Sequence, residues 1–307
     1  MTSYSNQVLN PHTGIRRHFV SFADSRMHRS IARISGQAAS LGVFDRIAVL
    51  DETSLDQAFR KRFAQHLVPG SRGFGYWCWK PQVILQELDV MQDGDLLQYT
   101  DTGCHLRPQG RMRLEEYFIS VASHPSGLLG FQNRPWRGGS AELAFQLPDK
   151  HWIKGDLLDY FQIRDRPDIT DTGTFGAGII FARKCPSAVS FFRQWLAVFV
   201  HDFTLVDDTP SRTPNLPGFK EHRHDQGVFS ILAKKHGIAS ESAFEYWYPK
   251  NGNLTEPNWT AILDRPIWAM RDKDLGMADR LAKMPRRIVS TIARTLRQRL
   301  RPRKYCP

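Results

Sequence analysis

Apolar positions in the first hundred residues fall into short β-prone runs and into stretches that recur every three to four residues. "RHFVSFAD" (Arg17 to Asp24) is a short β-prone run that ends in polar residues. In "HRSIARISGQAASLG" the residues Ile31, Ile34, Ala38 and Leu41 recur at helical spacing, and Gly42 supplies a stop. "FDRIAVLDET" (Phe44 to Thr53) predicts a second strand, and "SLDQAFRKRFAQHL" a helix. "PQVILQELDVM" predicts another helix, with Pro81 at its first helical position. "GDLLQYTDTG" (Gly94 to Gly103) then reads as a strand whose end is acidic and closed by glycine. Strand, helix, strand, helix, helix, strand is an α/β order, which implies a mostly parallel sheet with helices on its faces. Ligands of such sheets gather at the carboxyl ends of the strands, so "SFAD", "LDET" and "YTDTG" are the places to look.

The second half is less regular. "GTFGAGIIFARKC" (Gly173 to Cys185) predicts a strand entered through a Gly-Ala-Gly turn, and "PSAVSFFRQWLAVFVHDF" a helix. A loop rich in Asp, Thr and Pro (Val206 to Phe219) leads to "KEHRHDQGVFSILAKKHG", where a histidine cluster opens a helix. No internal repeat is visible.

Composition changes this picture at the C-terminus. The chain has 307 residues, room for one large domain or two small ones, and a formal net charge of +11. Ten of its 42 Lys and Arg fall between Arg280 and Lys304, where there is no acid, leaving 32 bases against 31 acids elsewhere. The excess belongs to a tail, and the body carries no global basic field. Within the tail Ile288, Ile292, Leu296 and Leu300 recur every four residues among arginines. That is the pattern of a helix on an anionic membrane face; a helix docked on the body and a disordered basic tail share it. The expected division is an N-terminal arm (1–16), a body (17–275) and a basic amphipathic tail (276–307).

The polar N-terminus lacks the apolar stretch of a secretory signal, and the run from Ser187 to Val200 is too short to span a bilayer. Cys78, Cys104, Cys185 and Cys306 are scattered without CxxC spacing, which suits a reducing cytoplasm. Nucleic-acid binding is not expected: apart from Arg72 and Lys80, the aromatic stretch "RGFGYWCWKP" has no basic company.

In the order "SFAD", "RGFGYWCWKPQVIL", "GDLLQYTDTGC", "HWIKGDLLDYF", "FGAGIIFARK" and "HRHDQGVFSIL", the chain resembles a family of bacterial GT-A-like glycosyltransferases over roughly residues 17 to 250. "GYWxWKP" and "HRHDQ" are the most specific of these elements. The resemblance implies a GT-A-like Rossmann-type fold with a mixed, mostly parallel sheet. It implies transfer of a sugar from a nucleotide-sugar donor to a glycan or lipid-linked acceptor, in bacterial surface-polysaccharide synthesis. A cytoplasmic enzyme, peripheral on the inner membrane face, would suit the tail. A non-catalytic transferase-like protein that only binds nucleotide or glycan is the alternative reading.

The "hhYxDxG" strand end is similar to the "hhYxDxD" of sugar-nucleotide-dependent transferases, where acids hold Mn2+ or Mg2+ under a diphosphate. Here Asp101 is the first acid, Tyr99 before it is a further candidate donor contact, and Gly103 replaces the second acid. His105 or His222 would be the helper ligand for such a metal; alternatively Lys and Arg stand in for it. Lys80, at a helix N-terminus, is a diphosphate contact, and Tyr76 or Trp77 a pocket wall. In "HRHDQ" the candidates are His224, Asp225 and Gln226, with Asp225 the base for an inverting transfer or a sugar-positioning group for a retaining one. Asp225 as a plain helix cap remains open. Ser21 and Asp24 are candidates for nucleotide base and ribose, or for an N-cap. Gly176 and Gly178 would allow close approach to donor sugar or acceptor, or make an ordinary turn. Lys154 and Asp156 are either substrate contacts or surface charges.

Overall fold

A computed structural model of the chain describes residues 14–136 and 147–272. The arm before residue 14 and the tail after 272 lie outside the described residues.

Chain order begins with β1 (Arg17–Phe22), α1 (His28–Leu41), β2 (Arg46–Leu50), α2 (Gln57–Arg62), the short turn α3 (Gly73–Tyr76) and α4 (Trp79–Val90). It continues with β3 (Leu96–Thr100), β4 (His105–Leu106), α5 (Arg111–Ser123) and β5 (Leu128–Gln132). Next come α6 (Gly155–Tyr160), α7 (Pro167–Thr170), β6 (Phe175–Arg183), α8 (Pro186–His201) and α9 (His224–Lys235). The described chain ends with β7 (Ala239–Ser242), β8 (Pro249–Lys250), β9 (Asn253–Pro257) and β10 (Ile267–Trp268).

Six strands form one sheet in the order β2-β1-β3-β6-β5-β7. β1 is parallel to β2 and β3, and β5 to β7, while β6 runs antiparallel between β3 and β5. The architecture is thus mixed α/β, a mainly parallel sheet flanked by helices. β1 and β3 are buried along their whole length, so their side chains alternate between two apolar layers. Val20, Phe22, Leu97, Tyr99 and Ile180 enter one layer, with α4, α8 and α9. Phe19, Leu96, Ile179 and Phe181 enter the other, against α1 and α5.

Gly42 ends α1 in the left-handed conformation (φ 61°), its N–H donating to Ala39 O at 3.1 Å. α8 buries Ala188, Phe191, Phe192, Trp195, Val198 and Phe199, one stripe of a helical period. Three expectations shift. The helix after Ser54 covers only Gln57–Arg62, because the chain turns at Phe63. α4 opens at Trp79, so Pro81 is its third residue; it still falls in the first turn, where its missing N–H costs nothing. Gly176 and Gly178 lie inside β6, not in a turn before it. Sequence reading passed over α5, β5 and β7.

The sheet order changes direction at β1: β2 lies on one side and β3 on the other. In sheets of this class such a switch point is where a ligand crevice lies, here at the carboxyl ends of β1 and β3. The amino end of β6 and the first turns of α4 and α9 reach the same rim. The two-residue pairing of β10 with β4 returns the chain to this rim, laying residues 269–272 beside the loop after β3.

Candidate active site

Asp101 follows β3 directly, Lys80 is the second residue of α4, and Asp225 is the second of α9. The Lys80 ammonium donates to Asp225 Oδ2 at 2.8 Å and lies 3.3 Å from Asp101 Oδ1. Lys80 is 2 % exposed and Asp225 5 %, whereas the Asp101 side chain keeps 36 % of its surface open. Burial disfavours the charged form of Lys80, yet the two carboxylates outweigh it and hold its pKa above the ordinary lysine value. Burial pushes the Asp225 carboxyl up to about 6, against the pull of Lys80 and with the repulsion of Asp101. A half-open carboxylate and a buried one therefore share a single buried ammonium.

Neighbouring groups aim Asp101. The Tyr99 hydroxyl donates to Asp101 Oδ1 at 2.6 Å, and the Asp101 N–H donates to Gly178 O at 2.8 Å. A Cβ on Gly178 would stand 2.9 Å from Asp101 Oδ2, so the glycine makes room for the carboxylate. A Cβ on Gly176 would stand 2.4 Å from the Tyr246 hydroxyl. The close approach expected at these glycines is therefore made by Asp101 and Tyr246 of the chain itself.

The stretch "RGFGYWCWKP" forms a left-handed turn ahead of α4. Phe74 (φ 50°), Tyr76 (φ 51°) and Trp77 (φ 60°) all have positive φ, and His224 (φ 44°) faces them. Each such residue costs on the order of 1–2 kcal/mol, and here the strain collects at the rim of the crevice. The Trp77 ring covers Gly73, where a Cβ would collide with it at 2.4 Å, and stacks on His224 at 5.8 Å. Trp79 is buried on Phe22 at 4.2 Å, and its indole N–H donates to Gly73 O at 3.0 Å.

Several candidates prove to hold the scaffold. Ser21 is fully buried and donates to Thr100 O at 2.6 Å, tying β1 to β3, so its hydroxyl does not face a nucleotide. Asp24 caps the turn Ser25–Met27 and pairs with Arg26 Nε at 2.6 Å. Tyr99 is fully buried and acts on Asp101 instead of on a donor. The ring of His224 is packed by Tyr76 and Trp77 and hydrogen-bonded through Nδ1 to Val206 O at 2.7 Å. Its Nε2 is 3.7 Å from Asp208, and burial lowers its pKa. Asp225 lies within the first turn of α9, whose N-cap is Arg223, so it is not a cap. Gln226 follows it, half-buried.

Lys154 and Asp156 are not surface charges: both are buried and pin the loop 202–215. Lys154 Nζ donates to the carbonyls of Thr204, Asp207 and Thr209. Asp156 accepts from the backbone N–H groups of Arg212 and Thr213, each at 3.0 Å. Asp208 fastens the same loop to the aromatic turn through Arg72 (2.9 Å) and the Tyr76 hydroxyl (3.0 Å). A separate cleft of about 350 Å³, bounded by Asp156, Tyr160, His201 and Arg212, shares no residue with the carboxylate pair. The pairing of two carboxylates through one buried ammonium lies at Asp101, outside this cleft.

The donor set for a divalent metal does not assemble. His105 Nε2 faces Asp272 at 3.3 Å and its Nδ1 faces Gln37 at 3.2 Å, while His222 sits against Lys154 and His224. Among the described residues no three His, Cys, Asp or Glu side chains converge. At Asp101 an incoming cation meets the Lys80 ammonium instead of a second acid.

Sequence reading missed Arg33, Arg223, Arg271 and Tyr246. Arg33 donates to the carbonyls of Thr102 (2.7 Å) and Cys104 (2.8 Å), lacing the loop after β3. Arg223 and Arg271 act on each other and on Tyr246, whose hydroxyl burial holds in its protonated form. Arg223 stood within "HRHDQ" and was legible there; no local signal marked the other three.

No family model matches the chain, and no curated protein matches it. Solved structures give weak overall similarity. A glycosyltransferase involved in glycosylation of the major capsid of PBCV-1 is 10% identical, with a TM-score of 0.42 over 82% of this chain and 91% of that one. Mouse xyloside xylosyltransferase 1 in its apo form is 9% identical, with a TM-score of 0.38 over 76% and 86%. The galactosyltransferase LgtC, in complex with donor and acceptor sugar analogs, is 10% identical, with a TM-score of 0.38 over 82% and 86%. Likeness at this level does not fix the activity of this chain, which has to be argued from its side chains.

Proposed function

We propose that the protein is a glycosyltransferase that moves a sugar from a nucleotide donor to a hydroxyl of a glycan or lipid-linked acceptor. The observation that carries this reading is the convergence of Asp101 and Asp225 on Lys80 at the sheet's switch point. A half-exposed carboxylate at a strand end meets the donor, and a buried one with its pKa near 6 accepts a proton near neutral pH. The acceptor oxygen attacks the anomeric carbon, and its proton passes to Asp225. The bond from that carbon to the diphosphate breaks, and the leaving diphosphate takes the electron pair. Lys80 offsets the negative charge that builds beside it.

Direct displacement inverts the anomeric carbon. The tail, outside the described residues, would hold the enzyme at an anionic membrane face where lipid-linked acceptors lie, as bacterial surface-polysaccharide synthesis requires. No helix among the described residues is long and apolar enough to cross a membrane.

The test is a thermal-shift panel of UDP-, GDP- and dTDP-sugars, with CMP-sugars as the monophosphate comparison, followed by turnover with the stabilising donor. Asp101→Ala and Asp225→Ala each lower turnover on the order of a hundredfold or more. A product that retains the donor's anomeric configuration removes Asp225 from the role of base. Full turnover in both variants sinks the proposal.

A further inference from the structure

We propose that this site binds the donor's diphosphate with side-chain cations in place of a divalent metal ion, Arg271 and Arg223 meeting the phosphates in front of Lys80. The proposal rests on the glycosyl-transfer reading above and adds the means by which the leaving group is neutralised.

The position of the missing acid carries the argument. A Cβ on Gly103 would lie 3.3 Å from Arg271 Cα and 3.6 Å from its carbonyl carbon. A carboxylate-bearing side chain there would need the chain at 271 to move. That chain is fixed: Asp272 N–H donates to Gly103 O at 3.0 Å, β10 pairs with β4, and Arg33 holds the carbonyls on both sides of Gly103. The space of a second carboxylate is therefore filled by a segment that delivers a guanidinium.

Arg271 has no acidic partner among the described residues, and its side chain is exposed beside the Trp247 ring at 5.4 Å. Arg223 lies flat on Trp152 at 3.7 Å, with its nearest acid, Glu221, at 3.5 Å. Burial lowers the Arg223 pKa, and the Arg271 charge adds to it against the pull of Glu221. Like charges brought together at a crevice rim are relieved by an anion between them, and guanidiniums suit phosphate oxygens by geometry as well as charge.

Charge balance points the same way. A pair of acids is net negative until a metal arrives. Here the Lys80 ammonium already lies between Asp101 and Asp225, and the segment that carries Arg271 occupies the place of the further acid. A metal at Asp101 must share the carboxylate with the Lys80 ammonium. A diphosphate need displace nothing.

Isothermal titration of the full chain with inorganic pyrophosphate and with UDP, GDP, CDP and dTDP, in EDTA and then in excess MnCl2, decides the matter. Binding is expected in EDTA, with Mn2+ changing affinity by less than about threefold, a difference smaller than one charge-assisted hydrogen bond. Arg271→Gln and Arg223→Gln each weaken it on the order of tenfold. Arg271 is exposed and unpaired, so its substitution leaves the fold intact, which circular dichroism verifies. Binding that is lost in EDTA and restored by Mn2+ overturns the proposal, as does affinity untouched by both substitutions. Pyrophosphate binding that needs Arg271, with no nucleotide preferred over it, keeps the anion site and sinks the nucleotide-sugar reading. Absence of any binding in either condition sinks both.

Discussion

Lys80 and Asp225, 145 positions apart in sequence, form a buried ion pair at 2.8 Å that joins the first turns of α4 and α9. Such a pair is not a large net source of stability, because taking both charges out of water costs about what their attraction returns. Removing one partner is different. Lys80→Met leaves Asp225 and Asp101 facing each other without a cation, and the expected loss is about 3–5 kcal/mol of unfolding free energy. Urea denaturation of Lys80→Met beside Lys80→Met/Asp225→Leu measures it. The double variant should recover much of the stability and none of the turnover.

The raised carboxyl of Asp225 sets a pH dependence with a definite sign. Its folded value of about 6 lies above the ordinary 3.8. Between those values the folded chain binds more protons than the unfolded one, so this group's contribution to stability falls as pH rises through about 6. Activity runs the other way, since the ionised carboxylate accepts the proton. A plot of kcat/KM against pH should therefore show an acid limb near pH 6, belonging to the coupled Asp101–Lys80–Asp225 set. Asp225→Asn should abolish turnover across the range, and a limb that survives in that variant assigns it to another group.

Gly178 and Gly176 separate two kinds of crowding. Gly178→Ala places a methyl 2.9 Å from Asp101 Oδ2 and turns the carboxylate away from Lys80. Turnover should fall on the order of tenfold or more, with a melting temperature within a few degrees of the parent. Gly176→Ala drives a methyl into the Tyr246 hydroxyl at 2.4 Å and should destabilise by about 1–3 kcal/mol as overpacking does. Adding Tyr246→Phe removes the oxygen and should restore most of that loss. Strict additivity of the two substitutions would show that the contact is not the cause.

Much of this was legible along the chain. The runs at Arg17, Phe44, Gly94 and Gly173 became strands of one sheet, since short β-prone runs set between helical periods have few other uses in an α/β order. Lys80, Asp101 and Asp225 were readable as polar residues at element ends. What sequence could not supply is contact between distant segments. Arg271 reaches Gly103 only through the two-residue pairing of β10 with β4, too short to leave a pattern. Lys154 and Asp156 read as ambiguous charges because their partners are mostly backbone groups of a loop some fifty residues away, which carry no side-chain signature. Ser21 and Tyr99 misled for a related reason: a polar residue at a strand end looks the same whether it faces a ligand or a neighbouring strand.

The loop anchored by Lys154 and Asp156 should be released by acid and by substitution. Backbone N–H groups of Arg212 and Thr213 hold the Asp156 carboxyl down to about 2, overcoming its partial burial. A depressed folded pKa gives stability that is present above the ordinary value of 3.8 and lost as pH falls through about 2. Asp156→Asn should cost about 1–3 kcal/mol, since the amide cannot accept all the bonds the carboxylate takes. Limited proteolysis reads the local effect, with cleavage between residues 202 and 215 rising before the rest of the fold opens. Cleavage that starts elsewhere would mean the loop is held by other contacts.

The basic tail offers the last test, and it is independent of the chemistry at Asp101. Ten Lys and Arg without an acid, beside an apolar residue every fourth position, should bind an anionic vesicle by charge first and by insertion second. Each base near such a surface contributes about 1 kcal/mol, so even a few engaged side chains give measurable retention. Sedimentation with phosphatidylserine vesicles should carry down the full chain at low salt and release most of it at high salt, because screening shortens the reach of each charge. A chain ending at residue 275 should stay in solution while turning over a soluble acceptor at the parent rate. If the shortened chain sediments equally well, the body holds the membrane contact. If neither sediments, the stripe of Ile288, Ile292, Leu296 and Leu300 packs against protein instead of lipid.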